Sequence, residues 1–331
     1  MQCPACTAEL PEDDVFCEAC GARLSASPPV RSPANEGGCS CGAPAGETDE
    51  DNFCLRCGLH LRPALEWDHV EQPLSPDFAA VCDRGLRHDR NEDRCAIAHT
   101  GDMFAMVVCD GVSSSHQSEV ASAAVVQGAL EALMRAPASV SDPAAAMRAA
   151  IVAGAAALTA QSQRGPDDNP PSTTVVAALV LGGEAVIGWM GDSRAYWIDA
   201  SGARPLTRDH SWMNDVAAAA GLTPEQAAGS PNAHAITRWI GVDSTGVPDP
   251  SIVRHPVTAP GILLLCTDGL WNYAETNDVM TKVVQDASST GQTALEIARN
   301  LVRYANEQGG RDNITAALLR FDPALQAAKI N

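Results

Sequence analysis

Basic side chains are scarce in this chain of 331 residues, with 22 Lys and Arg against 41 Asp and Glu and a formal charge of −19. That deficit excludes wrapping a nucleic-acid backbone, which demands dense Lys and Arg, and it argues against an anionic membrane surface. Long apolar runs are also wanting: none approaches the roughly 20 residues of a membrane span, so no membrane insertion is expected. The opening MQCPACTAEL has neither a basic n-region nor an apolar h-region, so no secretory signal is expected either. The expected compartment is the cytoplasm, where thiols stay reduced and the 12 Cys need an explanation other than disulfides. Apolar residues are not lacking. At 45% they allow a full core and exclude wholesale disorder. The length suits one large catalytic domain plus something small, or two mid-sized domains.

Eight of the twelve Cys fall within the first 57 residues. Cys3, Cys6, Cys17 and Cys20 form two C-x-x-C pairs; Cys39 and Cys41, then Cys54 and Cys57, form a C-x-C and a C-x-x-C pair. A tight C-x-x-C turn aims two sulfurs at one point, and two such turns supply the four thiolates of a tetrahedral zinc site. CPACTAELPEDDVFCEACGARL and CSCGAPAGETDEDNFCLRCGLHL are alike end to end, a tandem repeat similar to zinc ribbons. A redox dithiol would need a βαβ setting that is absent here. With every ligand position taken by sulfur, the two Zn²⁺ ions are expected to be structural. The expected organisation is ribbon 1 over 1–24, a Pro/Ser/Gly-rich linker over 25–38, ribbon 2 over 39–61, a second linker over 62–77, one domain over 78–322 and a tail over 323–331. Cys82, Cys95, Cys109 and Cys266 read as core thiols.

Beyond residue 78, short Val/Ile/Leu runs alternate with Ala-rich helical stretches. Strands are predicted at Met103–Cys109, Thr173–Leu181, Ala185–Trp189, Ala195–Asp199, Ile262–Cys266 and Asn313–Arg320. Helices are predicted at Glu119–Arg135 with a Ser118 start, at Pro143–Arg164 and at Thr293–Gln308. Grouped strands with helices between the groups indicate an α+β architecture. Asp110-Gly111, Asp192, Asp268-Gly269 and Asp312-Asn313 each stand where an apolar run stops. One D-G is simply a turn. Several carboxylates converging would repel unless divalent cations neutralise them, and all-oxygen ligation selects hard ions such as Mg²⁺ or Mn²⁺.

Seven blocks in order, DRGLRHDRNEDRCAI, VVCDGVSSSHQSEVAS, STTVVAAL, WMGDSRAYWI, LTRDHSW, LLCTDGLW and GGRDNIT, resemble the PPM family, the metal-dependent serine/threonine phosphatases of the protein phosphatase 2C type. The resemblance spans about residues 78–322. It implies an α/β/β/α four-layer sandwich, two antiparallel sheets flanked by helices, preceded here by the two small ribbons. It also implies hydrolysis of phosphoserine or phosphothreonine in proteins by metal-activated water. Carried over by position, Asp110, the Gly111 carbonyl, Asp268 and Asp312 would hold two Mn²⁺ or Mg²⁺ ions. Asp192 with Asp268 matches a third-metal position, and Glu92 and Asp93 would hold metal-bound waters.

Three positions depart from the family pattern. His88 stands where an Arg commonly grips the phosphate, leaving Arg87, Arg90 and His88 as phosphate-binding candidates; Arg forms a bidentate fork that His cannot. Val112 replaces a His proposed as general acid in animal members, which leaves a water or another group such as His116. Ser113-Ser114 replaces Gly-Gly, a stiffer turn. His210 reads as structural, while His60, His69, His99, His234 and His255 read as surface or satisfied core residues. Residues 211–241 match the family's flap, with small helices predicted from Thr223-Pro224-Glu225. The partners implied are phosphoproteins targeted by a Ser/Thr kinase. Residues 1–70 hold 12 acidic and 4 basic side chains, so the ribbons are expected to contact protein rather than nucleic acid. The rival reading is a phosphatase-like interaction or adaptor protein.

Overall fold

A computed structural model describes residues 66–136, 142–161, 169–217, 219–223, 226, 227, 230, 232–242 and 247–322, with 43, 44, 46–49 and 54–56 from the N-terminal part. The chain divides into two compact units, Met1–Ala64 and Leu65–Asn331. In the first, Thr48 and Cys54 form an antiparallel bridge, and the Leu55 amide donates to the Glu47 carbonyl at 3.0 Å. Cys54 is buried. The other seven expected zinc ligands lie outside the described residues.

In the second unit, six antiparallel strands line up as β1 (His69–Ser75), β2 (Phe78–Asp83), β13 (Ile314–Phe321), β12 (Gly261–Cys266), β8 (Arg194–Asp199) and β9 (Gly202–Pro205). Five form the second sheet: β11 (Ser251–Pro256), β7 (Glu184–Met190), β6 (Val175–Leu181), β4 (Met103–Cys109) and β3 (Arg94–Thr100). A small ladder joins β10 (Ile240–Gly241) to β5 (Ser172–Thr173). Helices α1 (Ser118–Arg135) and α2 (Pro143–Gln161) lie on the five-stranded sheet. The short α3 (Asp268–Trp271), α4 (Asn277–Thr290) and α5 (Ala294–Glu307) lie on the six-stranded one.

Strand periodicity builds these four layers. Successive side chains alternate between faces, so Phe78, Ala80 and Cys82 of β2 enter the core between the sheets while Ala79 and Val81 face the helices. In β12, Leu263 and Leu265 point between the sheets, and Leu264 and Cys266 toward α3–α5. With both faces buried, these strands read as unbroken apolar runs such as ILLLC. Each fully buried Leu or Val contributes about 1.5–3 kcal/mol relative to exposure. The four thiols Cys82, Cys95, Cys109 and Cys266 are all buried, as expected.

Several boundaries differ from expectation. Residues 69–75, read as linker, form β1 and pair with β2 from His69↔Asp83 onward. Its polar residues and Pro73 leave it without an apolar period, which an edge strand tolerates because it needs only one paired side. α1 does start at Ser118, as expected, and Gln117, at φ 52, is its cap. Thr293 does cap α5, in a capping box with Glu296. In the flap region Trp212–Ala217 forms a π-helical turn, and Thr223 caps the next turn, its hydroxyl accepting from the Gln226 amide at 3.3 Å. Pro224 and Glu225 lie outside the described residues. The expectation that no stretch reaches membrane-spanning length meets one exception: α2, with 19 residues, is apolar enough by length and composition. Its Met147, Ala150, Ile151, Gly154 and Leu158 are buried, in the layer shared with α1 and the five-stranded sheet.

Candidate active site

The acidic residues collect at the strand ends where the two sheets meet their loops. Asp110 follows β4, Asp192 lies in the β7–β8 turn, Asp268 opens α3 directly after β12, and Asp312 immediately precedes the Asn313-β13 junction. Each position is a place where an apolar strand leaves the core, so a rigid element carries each carboxyl. Asp110 is held by its backbone: its amide donates to Thr174 Oγ1 at 3.2 Å and its carbonyl accepts from Thr173 Oγ1 at 2.8 Å. The Asp192 carbonyl accepts from Trp271 Nε1 at 3.0 Å. Beside it Arg194 grips Asp209 through two bonds of 2.9 and 2.7 Å and stacks 3.5 Å over the Trp271 ring.

These acids feel one another. Burial, then the charges of Asp93, Asp268, Asp312 and Asp192, push the Asp110 carboxyl well above its ordinary range. Burial, then Asp312 and Asp192, raise Asp268 to about 8. Burial and Asp209 raise Asp192 to about 6. Asp93 is fully buried and raised chiefly by that burial. One of its oxygens accepts from Thr267 Oγ1 at 2.8 Å and Thr315 Oγ1 at 2.7 Å. Its other oxygen, like Asp268 Oδ1, is buried with no hydrogen-bond partner.

Such an arrangement is costly without positive charge. As the side chains stand, no three His, Cys, Asp or Glu among the described residues close on one point as a finished ligand cage. The cluster nonetheless fits divalent cations. Its four strand-end acids offer hard carboxylate donors, and the two unpartnered buried oxygens and the mutual repulsion are what a bound cation would relieve.

The loops around the cluster interlock. Leu86 and Arg87 amides donate to the Gly310 carbonyl at 2.7 and 3.1 Å. Asn313 Nδ2 donates to the carbonyls of Arg84 (2.8 Å) and Arg90 (3.0 Å), and its Oδ1 accepts from the Glu92 amide at 2.7 Å. Gly85 sits at φ +75, where an added Cβ would lie 2.1 Å from the Asp312 carbonyl oxygen. At Gly269 a Cβ would lie 1.9 Å from the Asn313 carbonyl oxygen. Both glycines let two chain segments touch backbone to backbone.

The expected phosphate-binding trio separates. His88 Nε2 lies 3.1 Å from Asp312 Oδ1, Arg90 pairs with Glu119 at 3.1 Å in the open, and Arg87 is anchored through its amide to Gly310. His116 has no hydrogen-bond partner among the described residues. Ser113 is more than a stiff turn. Its hydroxyl donates to Glu92 Oε2 at 2.7 Å, and Ser118 donates to Oε1 at 2.6 Å, so the Glu92 carboxylate is oriented from both sides. His210 is structural as read: its Nδ1 accepts from the Gly191 amide at 3.1 Å, it stacks on Trp189, and burial holds it down at about 4. His255 is not satisfied, its Nε2 being buried without a partner beside the Trp197 ring. His69 is far from idle: it bonds Asp83 at 2.7 Å and Glu71 at 3.1 Å. That Thr267, Thr315, Ser118 and Asn313 hold the acid loops was not foreseen from the sequence. Their only signal is adjacency to an acid block, and Thr and Ser are common everywhere.

Both parts of the chain resemble known proteins. The family profile described as protein phosphatase 2C matches residues 86–309, and that of the double zinc ribbon matches residues 3–58. Protein phosphatase PhpP of Streptococcus pneumoniae is 35% identical over 143 residues, 43% of this chain and 55% of that protein. The chain thus spans about half the length of the curated relatives it matches. Among solved structures, the serine/threonine phosphatase Stp1 from Staphylococcus aureus superposes with a TM-score of 0.64 at 27% identity, covering 78% of this chain and all of that one (100%). The catalytic domain of the serine threonine protein phosphatase PstP in complex with 2 manganese ions superposes with a TM-score of 0.57 at 26% identity, covering 77% of this chain and 100% of that one.

Proposed function

The chain belongs to the protein phosphatase 2C family, and from that premise we propose that it hydrolyses phosphoserine and phosphothreonine in proteins, using Mn²⁺ or Mg²⁺ and opposing a Ser/Thr kinase. The observation that carries the reading is the convergence of Asp110, Asp192, Asp268 and Asp312, each within reach of the others' charge. Asp110, the Gly111 carbonyl, Asp268 and Asp312 would hold two cations, and Asp192 with Asp268 a third. Bound there, divalent cations supply an activated water and neutralise phosphoryl oxygens.

The chain's own residues do the positioning. Glu92, fixed by Ser113 and Ser118, and Asp93, fixed by Thr267 and Thr315, orient water beside the cluster. Arg87 is the better phosphate grip than Arg90, because its backbone is tied to the loop that carries Asp312. The two ribbons, each around one structural Zn²⁺, serve partner or substrate recognition.

The test is hydrolysis of p-nitrophenyl phosphate and of a phosphothreonine peptide with Mn²⁺. Asp268→Asn should lower turnover at least a hundredfold while keeping the folded spectrum. Folded, Mn²⁺-supplied wild-type protein without turnover would instead favour the adaptor reading, which rests on His88 in place of the usual Arg.

A further inference from the structure

The geometry points to a nitrogen ligand in this metal site: we infer that His88 binds, through Nε2, the same cation as Asp312. The inference rests on the phosphatase reading, since Asp312 holds a cation only if that reading is right.

Distance is the first observation. His88 Nε2 and Asp312 Oδ1 are 3.1 Å apart. Two neighbouring ligands at right angles on an octahedral ion, each about 2.1 Å from it, are separated by about 3.0 Å. The pair therefore already stands at ligand spacing, with both side chains partly open to solvent at 28% and 39%, so an ion can enter.

Support for the loop that carries His88 is the second. Arg84 donates to the His88 carbonyl, and the flanking residues are pinned by Gly310 and Asn313. The loop is thus fixed against the backbone that carries Asp312. Third, the cluster has an unfilled demand for positive charge: Asp93 is fully buried, and its Oδ1 and Asp268 Oδ1 have no partner.

The chemistry of the residue decides between roles. The Arg that the family commonly places here is always protonated and has no lone pair to offer a metal. Imidazole has one. Replacing Arg by His at this position exchanges a phosphate grip for a metal ligand and leaves the phosphate to Arg87. One nitrogen added to an otherwise all-oxygen set shifts preference from Mg²⁺ toward Mn²⁺ and later transition ions.

Mn²⁺ binding to the full-length, zinc-loaded protein, followed by electron paramagnetic resonance, tests this without reference to turnover. Pulsed spectra of the Mn²⁺-loaded wild type should show coupling to a directly bound imidazole ¹⁴N. His88→Gln and His88→Arg should lose that coupling and bind Mn²⁺ about tenfold or more weakly, with a smaller change for Mg²⁺. Mn²⁺ bound by the wild type without nitrogen coupling would overturn the inference, reducing the contact to a hydrogen bond and leaving the phosphatase reading intact. No Mn²⁺ binding at all, or binding unchanged in Asp312→Asn, would overturn the phosphatase reading along with it. Because the nitrogen signal is read on the wild type, a variant that fails to fold does not blunt the test.

Discussion

Asp268 shows how much a single carboxyl is asked to tolerate. Its ionisation is raised to about 8 and that of Asp192 to about 6, whereas both titrate near 4 in an unfolded chain. Between those limits the folded protein holds more protons than the unfolded one, so stability falls as pH rises. His210, held at about 4, works in the opposite sense, but its contribution ends near pH 6.5. His69, raised to about 9 by Asp83, adds a fall of the same sign as Asp268 above pH 6.5. Metal-stripped protein should therefore unfold at progressively lower temperature from pH 6.5 to 8.5. Added Mn²⁺ should remove most of that slope, and Asp268→Asn should make it shallower. Tryptophan fluorescence reads the right unit, because all six Trp lie beyond residue 64. An equal slope in Asp268→Asn would contradict the assignment.

At the scale of elements, the decisive feature is the clasp between the 83–92 and 309–313 segments. Neither is a helix or strand along its length, yet Asn313 alone makes three hydrogen bonds across it. At about 0.5–1.5 kcal/mol each, Asn313→Ala should cost about 2–4 kcal/mol in urea unfolding. It should also lower kcat/KM at least tenfold, by freeing Asp312 and the Glu92 backbone together. Gly85→Ala should be worse: the position adopts φ +75, and its Cβ would strike the Asp312 carbonyl. If Gly85→Ala kept wild-type turnover and Mn²⁺ affinity, the clasp would not be what places Asp312.

At the scale of the whole molecule, the two units divide at residue 64. A cut at residue 70 would take His69 and Val70 out of β1 and break the His69–Asp83 pair. Deleting residues 1–64 leaves that strand whole. The shortened protein should hydrolyse p-nitrophenyl phosphate within about twofold of the full chain, while its turnover of a protein substrate changes several-fold. Equal losses on both substrates would mean that the ribbons serve only to stabilise the phosphatase unit.

Much of this was legible in the linear order of residues. Apolar runs ending in Asp revealed β4, β12 and the acids after them, because a strand buried on both faces announces itself by composition and the carboxyl follows at a fixed step. The Cys quartets were equally plain. The polar edge strand β1 was not, since an edge needs no alternation. Nor could spacing show that Ser113 and Ser118 grip Glu92, that Thr267 and Thr315 grip Asp93, or that His88 meets Asp312, because these pairs lie on different loops. Residue types and their order determined the family and the acidic inventory. Only the folding of one sheet against the other decided which of those charges must share a space.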